Sequence, residues 1–360
     1  MNGARASPVV LDCGTLNCKA GFAEISKRAP DFVFQTCEPF QSSDAGEAPS
    51  PIQNGHIEDW DSMEVLWDHI FKEKMKIDPS EHSVLLSEPD GNLSESRKKS
   101  LQVFFERFKV PALHLANQGM LSLYSIGQAS GLVIQSGHGF TNVMTARDGH
   151  RPTFGRVPLM YAGRKMTEYT QEVIAASLRE QYSLDIKTVD FELAEKFKEE
   201  HGYVRMQGEG KPSRNMVALD IRGKTYSVDA GEIGAKIGEA LFDPSVLGLS
   251  CFGLAKAVME SIELSDDEDW MDEVYLKNIL LAGGNTMFKG LQERLSTEVD
   301  KMKFQPFMTV NVKAPPHRAF SNWVGGSVIA SLPTFDPCWI TKQEYEEYGP
   351  DIFRRKCLPY

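Results

Sequence analysis

Positive charge is in short supply: 39 Lys and Arg stand against 50 Asp and Glu, for a formal net charge of -11. Without a basic surplus, no nucleic-acid-binding stripe is expected, and no basic cluster resembles a nuclear import signal. Long apolar runs are missing as well; none approaches the roughly 20 residues of a membrane span. The opening stretch MNGARASPVV has no secretion-signal core. Cysteine is sparse. The six residues are scattered at Cys13, Cys18, Cys37, Cys251, Cys338 and Cys357, with no CxxC pair and no zinc spacing. That excludes a disulfide framework and points to reduced thiols in a cytosolic or nuclear setting. Cys13 and Cys18 read as small buried fillers.

What is present is enough for sizeable cores. The chain has 360 residues, 41% of them hydrophobic, a length that suits two domains or one large two-lobed one. Val9–Leu11, Val84–Leu86, Leu132–Ile134 and Ile279–Leu281 are continuous apolar runs closed by turn residues, and they predict buried strands. Ser96–Phe108 and Arg164–Tyr182 carry the period of amphipathic helices. Strands alternating with helices predict the α/β class. Cys37–Gly55, rich in Pro, Ser, Gly and Ala, reads as a loop, and the acidic run Glu263–Glu273 reads as a solvated surface loop.

The stretch VVLDCGTLNCKAGF (Val9–Phe22) runs an apolar strand into an acid, Asp12, a small-residue turn and a lysine, Lys19. That is how a chain wraps backbone N–H groups around a phosphate. LVIQSGHGF repeats the plan with Gln135 at the strand end, and ILLAGGNTMFKG supplies a third glycine-rich strand end leading into a helix. Each turn alone is a weak signal. Three of them suit one phosphorylated ligand, because glycine admits close backbone approach.

In order along the chain, LDCGTLNCKAGFA, GHIEDWDSMEVLWDHIF, EHSVLLSEP, QGMLSLYSIGQASGLVIQSGHG, YAGRKMTEY, LFDPSVLG, LLAGGNTMFKGLQERL, APPHRAFSNWVGGSVIASL and WITKQEYEEYGPDIFRRKC resemble actin and the actin-related proteins. The resemblance implies a two-lobed actin-like ATPase fold of duplicated ribonuclease-H-like domains, shared with sugar kinases and heat-shock ATPases. It implies a first lobe of residues 1–120 plus 318–360, a second lobe of 121–317, and phosphate hairpins at 11–19 and 134–142. ATP or ADP with Mg²⁺ or Ca²⁺ would lie in the cleft between the lobes.

By the same resemblance, Asp12 would face the hydrated cation and Lys19 would add a point charge at the β- and γ-phosphates. Gly14, Thr15 and Asn17 would line the first hairpin, and Gly137 and Gly139 the second. Lys198 and Glu199 match an adenosine-contacting pair. Gly283 and Gly284 would admit the α-phosphate and ribose, Met287 would pack by the base, and Gln118 would orient the attacking water.

The departures gather at the chemistry. Gln135 and His138 stand where the family carries acids, Asn142 where it carries a histidine near the attacking water, and Ala319 where it carries a lysine beside the adenine. Leu16 replaces a glycine. Losses of this kind around a metal typically cost about 10–100-fold, and phosphoryl transfer needs a held metal and a positioned water. A degenerate site with little hydrolysis is expected.

Two surfaces bear on partners. The segment Phe34–Ile52, with Pro39, Pro49 and Pro51, is contracted and polar where the family inserts a loop into the next subunit, which argues against a homopolymer. Tyr124, Gly127, Val328, Ile329, Leu332, Thr334 and Cys338 match a hydrophobic groove that accepts partners' amphipathic helices, although Ile329 and Leu332 also suit a core. The expectation is a non-polymerising or weakly polymerising structural subunit of a cytoskeletal or motor-associated complex, or of an actin-type filament end. Its partners would be proteins, not nucleic acid or membrane, and its setting the cytoplasm and cytoskeleton. The alternatives are an active ATPase switch and a nuclear subunit of a chromatin complex.

Overall fold

The VVLDC strand, Val9–Cys13, is buried along its whole length. Successive side chains leave a strand on opposite faces. Val9, Leu11 and Cys13 accordingly join one core cluster with Trp67, Phe71, Phe104 and Leu113. Val10 joins another with Leu85, Leu121 and Trp323. A strand covered on both faces must be apolar throughout, which is why this run is continuous. The computed structural model describes residues 6–40, 50–150, 154–183, 189–265, 268–303 and 305–357.

The chain divides into two compact units. The first comprises Met1–Val133, Met144–Phe154 and Pro315–Tyr360; the second comprises Ile134–Val143 and Gly155–Ala314. In the first unit a six-stranded sheet runs in the order Ile340–Thr341, Ala112–Asn117, Val84–Glu88, Val9–Cys13, Asn17–Phe22, Phe32–Gln35. Val9–Cys13, Val84–Glu88 and Ala112–Asn117 are parallel. The strands at either side of them pair antiparallel. Helices Ser321–Ala330 and Gln118–Tyr124 pack closely because Gly325 has no side chain; a Cβ there would run into the Leu121 carbonyl oxygen. Trp323 Nε1 donates to Val10 O at 3.1 Å and ties this helix to the sheet.

The second unit contains most of a five-stranded sheet, ordered Arg156–Leu159, Thr141–Ala146, Gly131–Ser136, Ile279–Ala282, Val312–Lys313. Helices Gly163–Tyr182, Phe191–His201, Ala230–Glu239, Leu254–Ser265 and Leu291–Met302 belong to it. Arg294 pins two of them. Its buried guanidinium reaches Glu239 at 3.1 Å, also bonds Glu298 and the Arg205 carbonyl, and lies 4.8 Å from the Phe242 ring centroid.

The four expected strands are all present and buried. The Arg164–Tyr182 helix begins one residue earlier, at Gly163. The Ser96–Phe108 helix is α-helical over Ser94–Gln102 and continues in π-helical turns over Val103–Arg107. The acidic run is corrected. Helix Leu254–Ser265 enters it from one side and helix Asp269–Lys277 from the other. Met271 and Tyr275, four apart, bury the inner face of the second helix, and acids in a first helical turn are favoured by the helix dipole. Residues 266–267 of the run, and 41–49 of the expected Phe34–Ile52 loop, lie outside the described residues. Among the described residues no helix is long and apolar enough to cross a membrane.

Within the first unit the C-terminal segment is fastened through His114. Its Nδ1–H donates to the Cys338 carbonyl at 3.0 Å, and the ring packs edge-on against Phe335. Burial, reinforced by Arg97 and Lys356, holds the imidazole neutral down to about 4, against the Cys338 hydrogen bond that favours its proton. The unfolded chain takes up that proton near 6.5, so acid favours unfolding. Stability is expected to be full above about pH 6.5 and to fall by on the order of 3 kcal/mol as pH drops towards 4. Thermal melts across this range check it: His114→Leu should flatten the acid limb relative to the parent.

Candidate functional site

The first hairpin is built by strand register. Antiparallel pairing sets Asp12 opposite Lys19 and Cys13 opposite Cys18. Directly opposed side chains are close enough to bond, and Lys19 Nζ lies 3.1 Å from Asp12 Oδ2. Parallel pairing of Leu11 with Leu86 puts Ser87 beside Asp12, and Ser87 Oγ donates to Asp12 Oδ1 at 2.6 Å. Glu88 pairs with Asn117 on the next strand, which delivers Gln118 at the start of its helix. Gln118 Nε2 donates to Asp12 Oδ1 at 3.1 Å and to Ser87 Oγ at 3.2 Å. Asp12 is therefore a buried carboxylate with three donors on it. Burial pulls the Lys19 ammonium down, but the Asp12 carboxylate more than offsets this and leaves its pKa above the ordinary lysine value.

The loop itself closes by Gly14 N–H donating to Asn17 O at 3.0 Å. Thr36 supports it from just past the next strand, Phe32–Gln35, with its N–H on Leu16 O at 2.8 Å and its hydroxyl on Gly14 O at 2.7 Å. Thr15 Oγ1 accepts from Gly55 N at 3.3 Å. Leu16 is half-buried. Cys13 and Cys18 are buried free thiols.

The second hairpin repeats the first: Gly137 N–H donates to Phe140 O, again across four residues and again at 3.0 Å. Helix Gly163–Tyr182 starts against it, with Gly163 N–H on Gly137 O at 2.8 Å and Arg164 N–H on His138 O at 2.9 Å. His138 Nδ1 stands 3.4 Å from Glu195 Oε1, and Lys198 Nζ stands 3.9 Å from the same oxygen. The neighbouring His138 is the main influence holding the Glu195 carboxyl below its usual range; burial opposes it and Lys198 assists.

The third glycine turn meets the second hairpin in the same unit. Asn285 Nδ2 donates to Ser136 Oγ at 2.9 Å, and Ser136 Oγ shares a hydrogen bond with Thr141 Oγ1 at 2.7 Å. Gly283 is left-handed at φ 91° and packs on the Ser136 carbonyl, where a Cβ would collide. At Gly284 a Cβ would meet nothing within 4 Å.

A family model described as Actin matches residues 38–358, a range that takes in the second hairpin and the third glycine turn. The chain belongs to the actin family. Its fold is the two-lobed actin-like α/β fold that the motifs implied. It is similar to Actin-like protein 9 of Bos taurus, 32% identical over 389 residues, taking in 99% of this chain and 90% of that protein. The Homo sapiens protein of the same name is 31% identical over 383 residues, covering 98% and 88%. That of Rattus norvegicus is 30% identical over 378 residues, covering 98% and 90%.

The residues expected to serve an actin-family nucleotide are placed unequally. Asp12, Gly14, Thr15, Asn17, Lys19 and Gln118 come together in the first unit. Gly137, Gly139, Gly283 and Gly284 belong to the second, where the glycine turns at 137 and 283 touch. Lys198 is buried, and its ammonium is held by Gly163 O at 3.1 Å and Thr167 Oγ1 at 2.7 Å. Burial lowers its pKa, with Glu195 and Glu199 pulling the other way. Glu199 is exposed, and Met287 is 43% exposed. Gln135 and Asn142 are buried, and Asn142 Oδ1 accepts from Arg156 Nε at 3.3 Å. In the groove set Gly127, Leu332 and Thr334 are exposed and Tyr124, Val328, Ile329 and Cys338 half-buried.

Sequence reading passed over Ser87, Glu195 and Asn285. Ser87 had a signal, a polar residue ending an apolar strand; Glu195 had none, since only the packing of its helix brings it to His138.

The second unit offers two features that fit a nucleotide: open space at Gly284, and a buried Asn285 Oδ1 with no partner among the described residues. For a divalent cation the first unit offers one carboxylate, Asp12, already paired with Lys19, and the described residues contain no group of three or more side chains that could ligate a metal directly. Gly283→Ala is expected to cost at least about 1–3 kcal/mol, from the left-handed backbone and the Ser136 clash. Gly284→Ala should leave the melting temperature nearly unchanged. Parallel thermal melts check the contrast.

Proposed function

We propose that this chain is a non-polymerising or weakly polymerising actin-related protein, a structural subunit of a cytoskeletal or motor-associated complex, that binds ATP or ADP with little hydrolysis. One observation carries the reading. The residues that would hold the metal and position the water, Asp12 and Gln118, are bonded to each other and to Lys19 and Ser87. Hydrolysis requires a water activated and oriented in line with the phosphorus. Gln118 Nε2 is engaged inside the protein, and the second hairpin carries no acid. The preserved hairpins and the open backbone at Gly284 support nucleotide binding. A nucleotide bound only by the folded state would brace the fold, adding roughly 2.7 kcal/mol at 100-fold excess over Kd.

Acid extraction of the purified protein followed by chromatography should release ATP or ADP, and single-turnover phosphate release should be far slower than in filamentous actin. A folded, monodisperse protein that stays free of nucleotide in millimolar ATP would end the first expectation. Release at the filament rate would end the second.

The partner is proposed to be a protein that presents an amphipathic helix to the surface of Tyr124, Gly127, Val328, Ile329, Leu332, Thr334 and Cys338, in the cytoplasm and its cytoskeleton. Leu332, at 36% exposed, has apolar surface to offer. Self-assembly lacks its counterpart, since the contracted, polar Phe34–Ile52 segment supplies little apolar surface against an association cost of roughly 4–15 kcal/mol. Sedimentation and electron microscopy of the pure protein in Mg²⁺ and salt should show no filaments. Leu332→Glu should weaken recovery of the native partner in pull-downs, by burying an unpaired carboxylate, with the melting temperature unchanged. Undiminished recovery would remove this surface from the interface.

A further inference from the structure

The neck of the first hairpin carries two thiols face to face. Antiparallel register makes Cys13 and Cys18 direct partners, between the Asp12–Lys19 pair and the Gly14–Asn17 loop closure. In such a ladder opposed residues alternate between hydrogen-bonded pairs and closer, non-hydrogen-bonded ones, whose Cα atoms stand about 4.5 Å apart. Gly14 N–H donates to Asn17 O, and Ala23 N–H donates to Pro8 O. Counted by twos between those bonds, Asp12–Lys19 falls on a hydrogen-bonded position and Cys13–Cys18 on a close one. That spacing lies within the roughly 4.4–6.8 Å Cα separation that a disulfide spans. Both side chains enter the same core cluster, so they leave the sheet on one face. The neighbouring Cys18 is the main influence raising the Cys13 pKa, with burial second. The support from Thr36 does not oppose a bond. Its hydroxyl proton is used on Gly14 O, so the Cys18 thiol is the donor to Thr36 Oγ1 at 3.5 Å. Losing that thiol proton leaves the Thr36–Gly14 bond intact. Cys13 also lines a cavity of about 30 Å³, room for a molecule of the size of water. Half-buried Gly55, Ile57 and Asn92 in its wall carry it towards solvent.

We propose that Cys13 and Cys18 form a reversible intrachain disulfide under sustained exposure to a hydroperoxide, locking the neck of the first hairpin. Cys13 is the entry point, at 9% exposed against 0% for Cys18. Its sulfur attacks one peroxide oxygen, the O–O bond breaks, and water leaves from hydrogen peroxide, giving a sulfenic acid on Cys13. The Cys18 sulfur then attacks the Cys13 sulfur, an S–S bond forms, the S–O bond breaks, and a second water leaves with the thiol protons. The two sulfurs together lose two electrons and the peroxide gains them. Because Cys13 rests as a buried thiol and the thiolate is the nucleophile, the first step is slow. The pair therefore answers prolonged oxidant and not a brief pulse. In a reducing compartment such a bond is a transient, redox-sensing one and not part of the folding framework. The inference stands apart from the nucleotide and partner readings, since it uses the geometry of the first unit alone.

Peptide mass mapping of the purified full chain tests it. The folded chain is held for hours in millimolar hydrogen peroxide in mildly alkaline buffer, quenched, unfolded and alkylated with iodoacetamide, with and without prior dithiothreitol. Trypsin cuts after Arg5 and Lys19, so both thiols fall in one peptide, Ala6–Lys19. That peptide is expected to lose two hydrogens and to take no alkyl group, and to take two alkyl groups once reduced. The oxidised chain should also melt about 2–4 °C or more above the reduced one, since the bond removes freedom from the unfolded state. Cys13→Ser and Cys18→Ser should each abolish both changes, and the two variants guard against either one misfolding. A chain unfolded in urea and treated alike shows whether the oxidant is competent. Two alkyl groups on the peptide from the folded chain, with the bond formed in the unfolded one, overturns the inference. So does a sulfinic acid on Cys13 in place of the bond, or a bond from either residue to another cysteine.

Discussion

The Asp12–Lys19 ion pair is the constraint on which the first unit's site depends. It is fixed by the pairing of two strands, not by side-chain choice alone: a one-residue slip would carry every side chain to the other face. The pair is largely buried, and a buried carboxylate stripped of its partner costs several kcal/mol. Ser87 and Gln118 add two more donors, so the whole edge of the sheet where three parallel strands end is organised around one carboxylate oxygen pair. An arrangement this satisfied is rigid, and it leaves little for an incoming metal to gain.

The second unit reaches a similar electrostatic result with different parts. Its hairpin closes through the same glycine-to-carbonyl hydrogen bond, which gives the internal repeat in the sequence a geometric meaning. Above that shared frame the side chains have changed. An imidazole stands beside Glu195, and Lys198 is drawn into the start of helix Gly163–Tyr182 instead of standing free for a ligand. Gly163 makes this possible, because a Cβ there would press on the Gly137 carbonyl and the His138 backbone. The turn at Gly283 then locks onto the same strand end through Ser136. Scaffold and chemistry have thus separated in this chain. Both hairpins keep the same backbone closure, while of the two strand ends only the first carries a carboxylate, Asp12.

The surface proposed for a partner and the residues proposed for a nucleotide lie on different parts of the fold. Of the proposed partner surface, Tyr124 and Ile329 pack against the core cluster that contains Trp323 and Val324. Its shape follows from the packing of helix Ser321–Ala330 on helix Gln118–Tyr124, which opens with Gln118 at the Asp12 cluster. That helix thus has a polar cluster at one end and a half-exposed apolar surface at the other, as the proposed subunit role would require.

Much was legible in the sequence because it is written in short-range pattern. Continuous apolar runs forecast the buried strands, and the repeated strand–glycine plan forecast two like hairpins. The ordered motifs forecast the actin family, and with it the two-lobed fold. The acidic run misled, since charge composition reports exposure and not backbone state, and two helices enter a segment that looked like a loop. Sequence alone also shows that the second hairpin, 134–142, carries no carboxylate, because an absent carboxylate needs no geometry to be absent. Only tertiary structure decided what the remaining groups do. Whether Asp12 faces a cation or a lysine, whether Lys198 reaches a ligand or a helix end, and whether His138 stands alone or on Glu195 are matters of a few ångströms between residues far apart in the chain. Coulomb and hydrogen-bond energies fall away over those distances, so spacing along the sequence cannot specify them.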